Sequence, residues 1–360
     1  MIFRNALLRE LTSAALATFF VLVGITLTTQ LVRLLGQAAT GAITTAGVTA
    51  LLGFSLINYL PVLLSLTLFI AVLMTLTRSY RDSEMVVWFS CGVSLTQWVR
   101  PVLMFASPLV LVIATLSLVL SPWAVANSEE MRRLMDSRDD VSAVTPGVFR
   151  ESRQAERVYF VEEVSGTQNL VANVFVSSTQ HERQGVMVAA RGFQEVAQNG
   201  DRFLVLVNGR RYEGEPGAAG YKIYEFERYA MRIETAEAKA PRAPTTKSVS
   251  TIELLRQPTP AHLAELSWRL GLPAAALVLS LIAIPLSFVN PRAGRSMNLV
   301  LALLIYMTYS NLLSITQASI AQSRLSFAAG LLGVHAAMLV LLAVLFYRRL
   351  AVYSLFRLVR

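Results

Sequence analysis

Cysteine is almost missing. The 360 residues contain one, Cys91, so no internal disulfide can form, and redox or thiolate-metal chemistry has a single sulfur to draw on. Charge is scarce too: 15% of residues are charged and 54% hydrophobic, a membrane-like balance for a chain of this length. No GxxxxGK[ST] loop is present to cradle nucleotide phosphates. The HExxH, Ser/Lys and paired-Asp arrangements that an intramembrane protease needs are also missing. No catalytic residue, metal site or cofactor is therefore expected.

What the chain has instead is long apolar runs. Six are near or above the roughly 20 residues that a helix needs to cross hydrocarbon: Leu11–Leu35, Val48–Leu76, Val99–Leu120, Leu270–Val289, Met297–Ile320 and Phe327–Tyr347. The first outlasts the core of a secretory signal, about 7–15 residues, and a second span follows soon after, so it reads as a membrane helix. Basic residues orient the set, because cytoplasmic segments retain Lys and Arg. Arg4, Arg9, Arg78, Arg81, Arg100, Arg292, Arg295, Arg348, Arg349, Arg357 and Arg360 fall on one side, against Arg33 and Arg324 on the other. Both termini are then expected in the cytoplasm, and the large insert between the third and fourth spans outside it. The net charge of +9 comes from the membrane part, so it reflects topology; nucleic acid is not an expected partner.

No Asp or Glu lies within these six runs, and His335 is their single histidine. Proton-coupled carriers place carboxylates or histidines inside their spans; a lone His in an apolar helix more often packs or pairs than relays protons.

The insert changes character. Short alternating segments, Arg157–Val164, Leu170–Ser178, Val186–Arg191, Phe203–Val207 and Tyr221–Ile233, are separated by turn-forming stretches such as SGTQN, HERQG, QNGD, NGRR and GEPGAAG. Many short strands without intervening helices favour a sandwich, jelly roll or partly open barrel. A charged segment of helical character, SEEMRRLMDSRDD, leads in and a linker-like AKAPRAPTTK leads out. An edge strand is either a binding edge for another chain or one protected by charge.

Polar residues form stripes in two spans. Thr26, Gln30, Arg33 and Gln37 share a face of the first, at its outer end. Arg33 is either an interfacial arginine snorkelling to water or, with Arg324 at the same leaflet, a bidentate contact for anionic phosphate. In the fifth span Ser310, Ser314 and Gln317 share a face; the two serines suit close helix packing, while Gln317 and Gln322 are placed to meet a polar headgroup. Pro61, Pro108, Pro273 and Pro285 imply kinks whose freed carbonyls need partners.

The cytoplasmic loop RSYRDSEMVVWFSCGVSLTQWVR is short and amphipathic. Asp82, Ser83 and Glu84 are suited to cap a helix, and Met85, Val86, Trp88 and Phe89 are expected to form an exposed apolar cluster. That cluster either lies on headgroups or inserts into a cytoplasmic partner.

DSEMVVWFSCGVS, together with QLVRLLGQAATGAI, AELSWRLGLP and IPLSFVNPRAGRS, resembles the YjgP/YjgQ permeases, the LptF/LptG family of the lipopolysaccharide exporter. The similarity runs over nearly the full chain, and LVRLLG and the overall spacing look more like the LptF branch. The resemblance implies an inner-membrane α+β protein with six transmembrane helices (3+3) and an inserted periplasmic all-β jelly-roll-like domain. It implies an LptG-like permease as heterodimer partner, an LptB-like ATPase dimer and an LptC-like periplasmic protein. In the family the segment matching Asp82 to Cys91 docks into the ATPase, with Glu84 meeting a basic residue there. Basic residues at the outer end of the first span contact lipopolysaccharide phosphates; Arg33 fits, whereas Gln30 stands where another basic residue can occur.

The expected layout is helices one to three with the coupling helix (81–92) in 1–121, the β domain with its linkers in 122–266, and helices four to six in 267–360. Val158, Phe160, Val174, Val176 and Phe203 are expected to line the interior of the β domain and receive acyl chains. The expected role is an export subunit that shelters lipid while a separate ATPase supplies energy. A mechanotransmitting ABC-type subunit or a membrane scaffold, neither of which conducts lipid, remains open beside it.

Overall fold

The computed structural model describes residues 2–39, 43–136, 149–151, 157–165, 170–180, 183–196, 202–214, 220, 222–232, 245–288 and 297–355. The chain divides into two compact units, Met1–Arg133 with Pro244–Arg360, and Leu134–Ala243. The sequence VNPRAGRS (289–296) lies outside the described residues.

The first unit is helical: α1 Ile2–Ala39, α2 Thr45–Arg81, α3 Glu84–Ser90, α4 Val99–Thr115, α5 Ser121–Asp136, α6 Thr251–Arg256, α7 Pro260–Leu286, α8 Met297–Ala321 and α9 Phe327–Leu355. Among the described residues, six helical segments are long and apolar enough to cross a membrane. Helix starts follow local chemistry. Thr44 accepts from the Gly47 amide, Thr259 from the His262 amide with Pro260 in the first turn, and Ser250 from the Glu253 amide, each satisfying an amide that the helix cannot. α4 runs into α5 through a π-helical turn, Leu116–Leu120, so the third membrane helix and the start of the charged segment, to Arg133, form one rod. Pro61, Pro108, Pro273 and Pro285 all lie inside helices.

α7 is the hub. Of its most apolar window 72% is buried, against 6% for α1, and it packs on α2, α4, α8 and α9. Leu279, Ile282 and Ala283 meet Phe69, Val72 and Trp98 in one apolar cluster. This helix starts at Pro260 and not at Leu270 as hydropathy indicates. Glu265 and Arg269 interrupt the apolar run, but they neutralise each other within the helix, so the chain buries them instead of ending the span. A carboxylate and a guanidinium therefore lie inside the fourth candidate span, Pro260–Leu286.

The second unit is one antiparallel sheet in the order β1-β2-β3-β4-β5-β6, from β1 Arg150–Glu151, β2 Arg157–Ser165, β3 Leu170–Gln180, β4 Arg183–Val196, β5 Arg202–Gly214 and β6 Lys222–Arg232. Each strand pairs with the next, a meander. NGRR, which reads as a turn, lies inside β5. The reason is a crease. Asn173 in β3 and Asn208 in β5 adopt left-handed φ values of 50° and 54°, which Asn tolerates better than most residues, while the register on either side stays unbroken.

At this crease the alternation of side chains slips in four adjacent strands. Val171 and Val174, Ala189 and Gly192, Leu206 and Gly209, and Phe226 and Tyr229 are each three residues apart, yet the first members pair across the sheet with partners on the same face as the second. Of the residues between them, Asn173, Ala190, Arg191, Asn208, Glu227 and Arg228 are exposed, and Ala172 and Val207 are half-buried. One apolar face thus continues across the bend, with Val171, Val174, Val176, Met187, Ala189, Leu204 and Leu206 buried in a single cluster. Glycine is required there by space: a Cβ on Gly209 would lie 2.5 Å from the Val188 carbonyl oxygen and from the Phe226 ring.

Candidate functional site

Near the C-terminal end of α1, Arg33 is exposed and makes no ion pair among the described residues. Gln30 beside it is half-buried. One turn after Arg33, the Gln37 side-chain oxygen accepts from Arg132 Nη1 at 3.1 Å. Arg132 comes from α5, the rod that prolongs the third membrane helix. It brings a second guanidinium to the polar stripe of α1, and sequence reading placed it in a leading-in segment with no role. Arg324 is exposed in the turn between α8 and α9, which Ser323 makes with φ 58°.

Of the fifth-span residues Gln317 turns inward, whereas Ser314 is exposed. Ser314 Oγ donates to the Ser310 carbonyl at 3.0 Å within its own helix. Gln317 Nε2 donates to Glu265 Oε2 at 3.2 Å, so this side chain meets α7.

Glu265 leads to a buried cluster that sequence reading missed. Its other oxygen accepts from Arg269 Nε at 3.0 Å. Arg269 Nη1 donates to Thr251 Oγ1 at 2.9 Å, and Nη2 donates to the carbonyls of Lys247 and Val249 at 3.0 Å each. Thr251 in turn donates to the Leu118 carbonyl in the π turn, where the wider helical ring leaves an acceptor accessible. Ser117 Oγ donates to the Arg269 carbonyl at 3.1 Å. One guanidinium thus joins the stretch before α6 to α7, and through Glu265 to α8. The available signal was the i, i+4 spacing of Glu265 and Arg269 inside AELSWRLGLP.

At the other end of the bundle, Glu84 opens α3. Arg78 Nη2 reaches Glu10 Oε1 at 2.6 Å and Glu84 Oε1 at 3.4 Å, tying α1, α2 and α3 together. Arg81 pairs with Asp82 at 3.2 Å. Ser83 precedes the helix in the left-handed region, φ 61°, with no side-chain cap bond, so the expected capping role does not hold for it. The apolar cluster is only partly exposed. Met85 is buried at 1% exposure, Trp88 and Phe89 are half-buried against the core, and Val86 and Val87 are the outward residues. Seven residues give α3 too little length to stand alone; inserting Met85 into the bundle holds it in place.

In the β unit the expected lining residues divide. Val174 and Val176 belong to the apolar cluster. Phe160 pairs with Phe175 and Val158 with Ser177, in the opposite phase, and Phe160 joins Phe149 and Phe175 in an aromatic group. Phe203 alternates with Leu204 and so lies away from the cluster as well. RVYFV in β2 and RFLVLV in β5 are apolar in both phases, so alternation alone does not say which set faces the cluster, and a choice one residue out turns every side chain to the other face. On the outer surface Arg210 donates to Glu225 at 2.8 Å, and that hydrogen bond and charge, with Tyr212, raise its pKa further.

A family model described as lipopolysaccharide export system permease LptF/LptG matches residues 5–348. The chain is also 30% identical over 312 residues to the lipopolysaccharide export system permease protein LptF of Escherichia coli K12, covering 86% of this chain and 84% of the relative. Its counterparts in Escherichia coli O157:H7 and Shigella flexneri match to the same extent.

Proposed function

The chain belongs to the lipopolysaccharide export permease family LptF/LptG, and on that premise we propose that it extracts lipopolysaccharide from the periplasmic leaflet of the inner membrane and passes it to its own β unit, towards the outer membrane. Both termini then lie in the cytoplasm and the β unit in the periplasm, as the distribution of arginines favours. An LptG-like permease completes the membrane pair, an LptB-like ATPase dimer supplies the energy, and an LptC-like protein continues the path.

The observation that carries this reading is α1. It is apolar enough to span yet 6% buried, and its outer end presents the exposed Arg33 next to Gln37 and Arg132. An unpartnered apolar face beneath a cationic patch suits acyl chains beneath phosphates. Burial of the chains is what the route must preserve, since each CH₂ is worth ~0.8 kcal/mol and several chains amount to tens of kcal/mol. α1 of this subunit and the fifth span of its partner, and conversely α8 here with Ser310, Ser314 and Gln317, border the lateral openings. Arg33, Arg132, Gln30 and Arg324 serve the headgroup.

In the β unit a jelly-roll-like trough receives the chains along the bent apolar face that holds Val174, Val176 and Leu206. Phe226 and Tyr229 border it, while Val158, Phe160 and Phe203 form its outer side. α3 docks into the ATPase through Glu84, Val86 and Val87, with Asp82, Ser83, Met85, Trp88 and Phe89 fixing its position.

The test uses the assembled complex. A photo-crosslinking residue at Phe226 or Tyr229 should capture lipopolysaccharide during ATP turnover and one at Phe160 should not, while Glu84→Lys should abolish association with the ATPase. Capture at no β position, with the ATPase still bound, would favour a mechanotransmitting subunit. Normal export with Glu84→Lys and no bound ATPase would favour a scaffold.

A further inference from the structure

The end of the bundle that carries α3 contains a line of contacts across four helices. Phe89 of α3 lies 6.3 Å from the ring of Tyr80, in the last turn of α2. The Tyr80 ring meets Phe288 edge-on, at 5.4 Å and 73°. Phe288 follows the end of α7, and its ring is covered by the guanidinium of Arg349 from α9, at 3.9 Å from the centroid. Arg349 Nε also donates to the Pro285 carbonyl at 3.3 Å.

Each contact has a physical reason. Pro285 is in the last turn of α7, where carbonyls have no partner in the helix and the helix dipole favours a cation. Arg349 satisfies that carbonyl and at the same time places its charge over an aromatic face, where the ring quadrupole attracts it. The other approach to Phe288 is the edge-on geometry that aromatic pairs prefer. α2 ends with two side chains pointing to different neighbours: Arg78 to α1 and α3, and Tyr80 to α3 and Phe288. α3 is therefore joined to α1 by charge and to the ends of α7 and α9 by stacked rings and one cation.

We propose that Tyr80, Phe288 and Arg349 are positioning residues that transmit displacement of α3 to the ends of α7 and α9. This rests on the reading of α3 as the docking element for an ATPase. Through α7 the displacement reaches the hub of the bundle, and through α9 the last membrane helix. The three residues touch neither lipid nor nucleotide; they set how much of each stroke reaches the helices.

The test is the complex reconstituted in proteoliposomes, with nucleotide hydrolysis and lipopolysaccharide release measured together for Phe288→Leu, Arg349→Met, the double variant and Arg349→Lys. The single variants should retain the ATPase at wild-type stoichiometry and hydrolyse at near wild-type rates. Lipid released per nucleotide should fall roughly five-fold. Arg349→Lys, which keeps a cation over the ring, should recover most of the loss. The double variant should be no worse than the poorer single one, because both break the same line.

An unchanged ratio in both single variants, or losses that multiply in the double, would overturn the proposal. If Arg349→Met fails to assemble, the ratio for Phe288→Leu decides. A wild-type chain that recruits no ATPase would overturn the underlying reading, and the relay with it. A wild-type chain that recruits the ATPase alongside variants of unchanged ratio would overturn the relay alone.

Discussion

Glu265 and Arg269 stand one turn apart on α7 and form an ion pair at 3.0 Å, with side chains only 7% and 2% exposed. A pair so deeply buried gives up the hydration of both ions, and the mutual attraction offsets this only if the remaining hydrogen-bonding capacity is met. Here it is met by Gln317 for the carboxylate and by Thr251, Lys247 and Val249 for the guanidinium.

Removing one partner leaves the other charge buried without its counter-ion. Arg269→Met should cost about 3–5 kcal/mol, read as a lower midpoint of thermal unfolding of the purified chain in detergent. The double variant Glu265→Leu/Arg269→Met should regain part of that loss, because an apolar pair needs no compensation. A single variant as stable as the wild type would show that the pair does not hold α7 to its neighbours.

Under the proposed function, the two guanidiniums near the C-terminal end of α1 should act together on phosphate. Arg33→Ala should weaken retention of lipopolysaccharide through purification by about ten-fold, the worth of one charge-assisted contact. Arg132→Ala should do the same, the two combined should lose more than either, and Arg33→Lys should restore only part because a point charge lacks the bidentate fork. Lipid quantified by mass spectrometry after affinity purification checks this. Retention unaffected by both substitutions together would assign Arg33 to simple snorkelling.

The crease in the β unit makes opposite demands at neighbouring positions. Asn208→Gly keeps access to the left-handed region and should be nearly neutral, whereas Asn208→Val should cost roughly 1–2 kcal/mol. Gly209→Ala should be more damaging than either, since the new Cβ would collide with backbone. Hydrogen exchange on the full chain in detergent, followed in β4, β5 and β6, should show faster exchange for Asn208→Val and Gly209→Ala. Equal protection in all three variants would show that the bend is not fixed by these residues.

Much of the architecture was legible from patterns that do not depend on tertiary contacts. Apolar length gave the six membrane helices, with Leu270 too late a start for the fourth, and alternation gave β2, β3 and β6 to within a few residues but ended β4 at Arg191 and β5 at Val207, where the strands run on to Val196 and Gly214. The site residues were legible by type more than by contact. Arg33 stood out because basic residues are rare on its side, while Arg132 looked like one charge among many in SEEMRRLMDSRDD. Gln317 looked like a headgroup contact because its distance from Glu265 along the chain concealed their proximity. Met85 looked exposed because a seven-residue segment carries no sign of which side chain the bundle admits.

By itself the sequence determined the solvent of each part of the chain, since the cost of moving a side chain between water and hydrocarbon depends on that side chain and its near neighbours. Composition and the lengths of the apolar runs were enough for that. The tertiary structure alone decided which charges cancel, which carbonyls Arg269 serves, and where the sheet bends so that one apolar face stays continuous. Those outcomes depend on distances between residues far apart in sequence, and such distances exist only once helices and strands have packed.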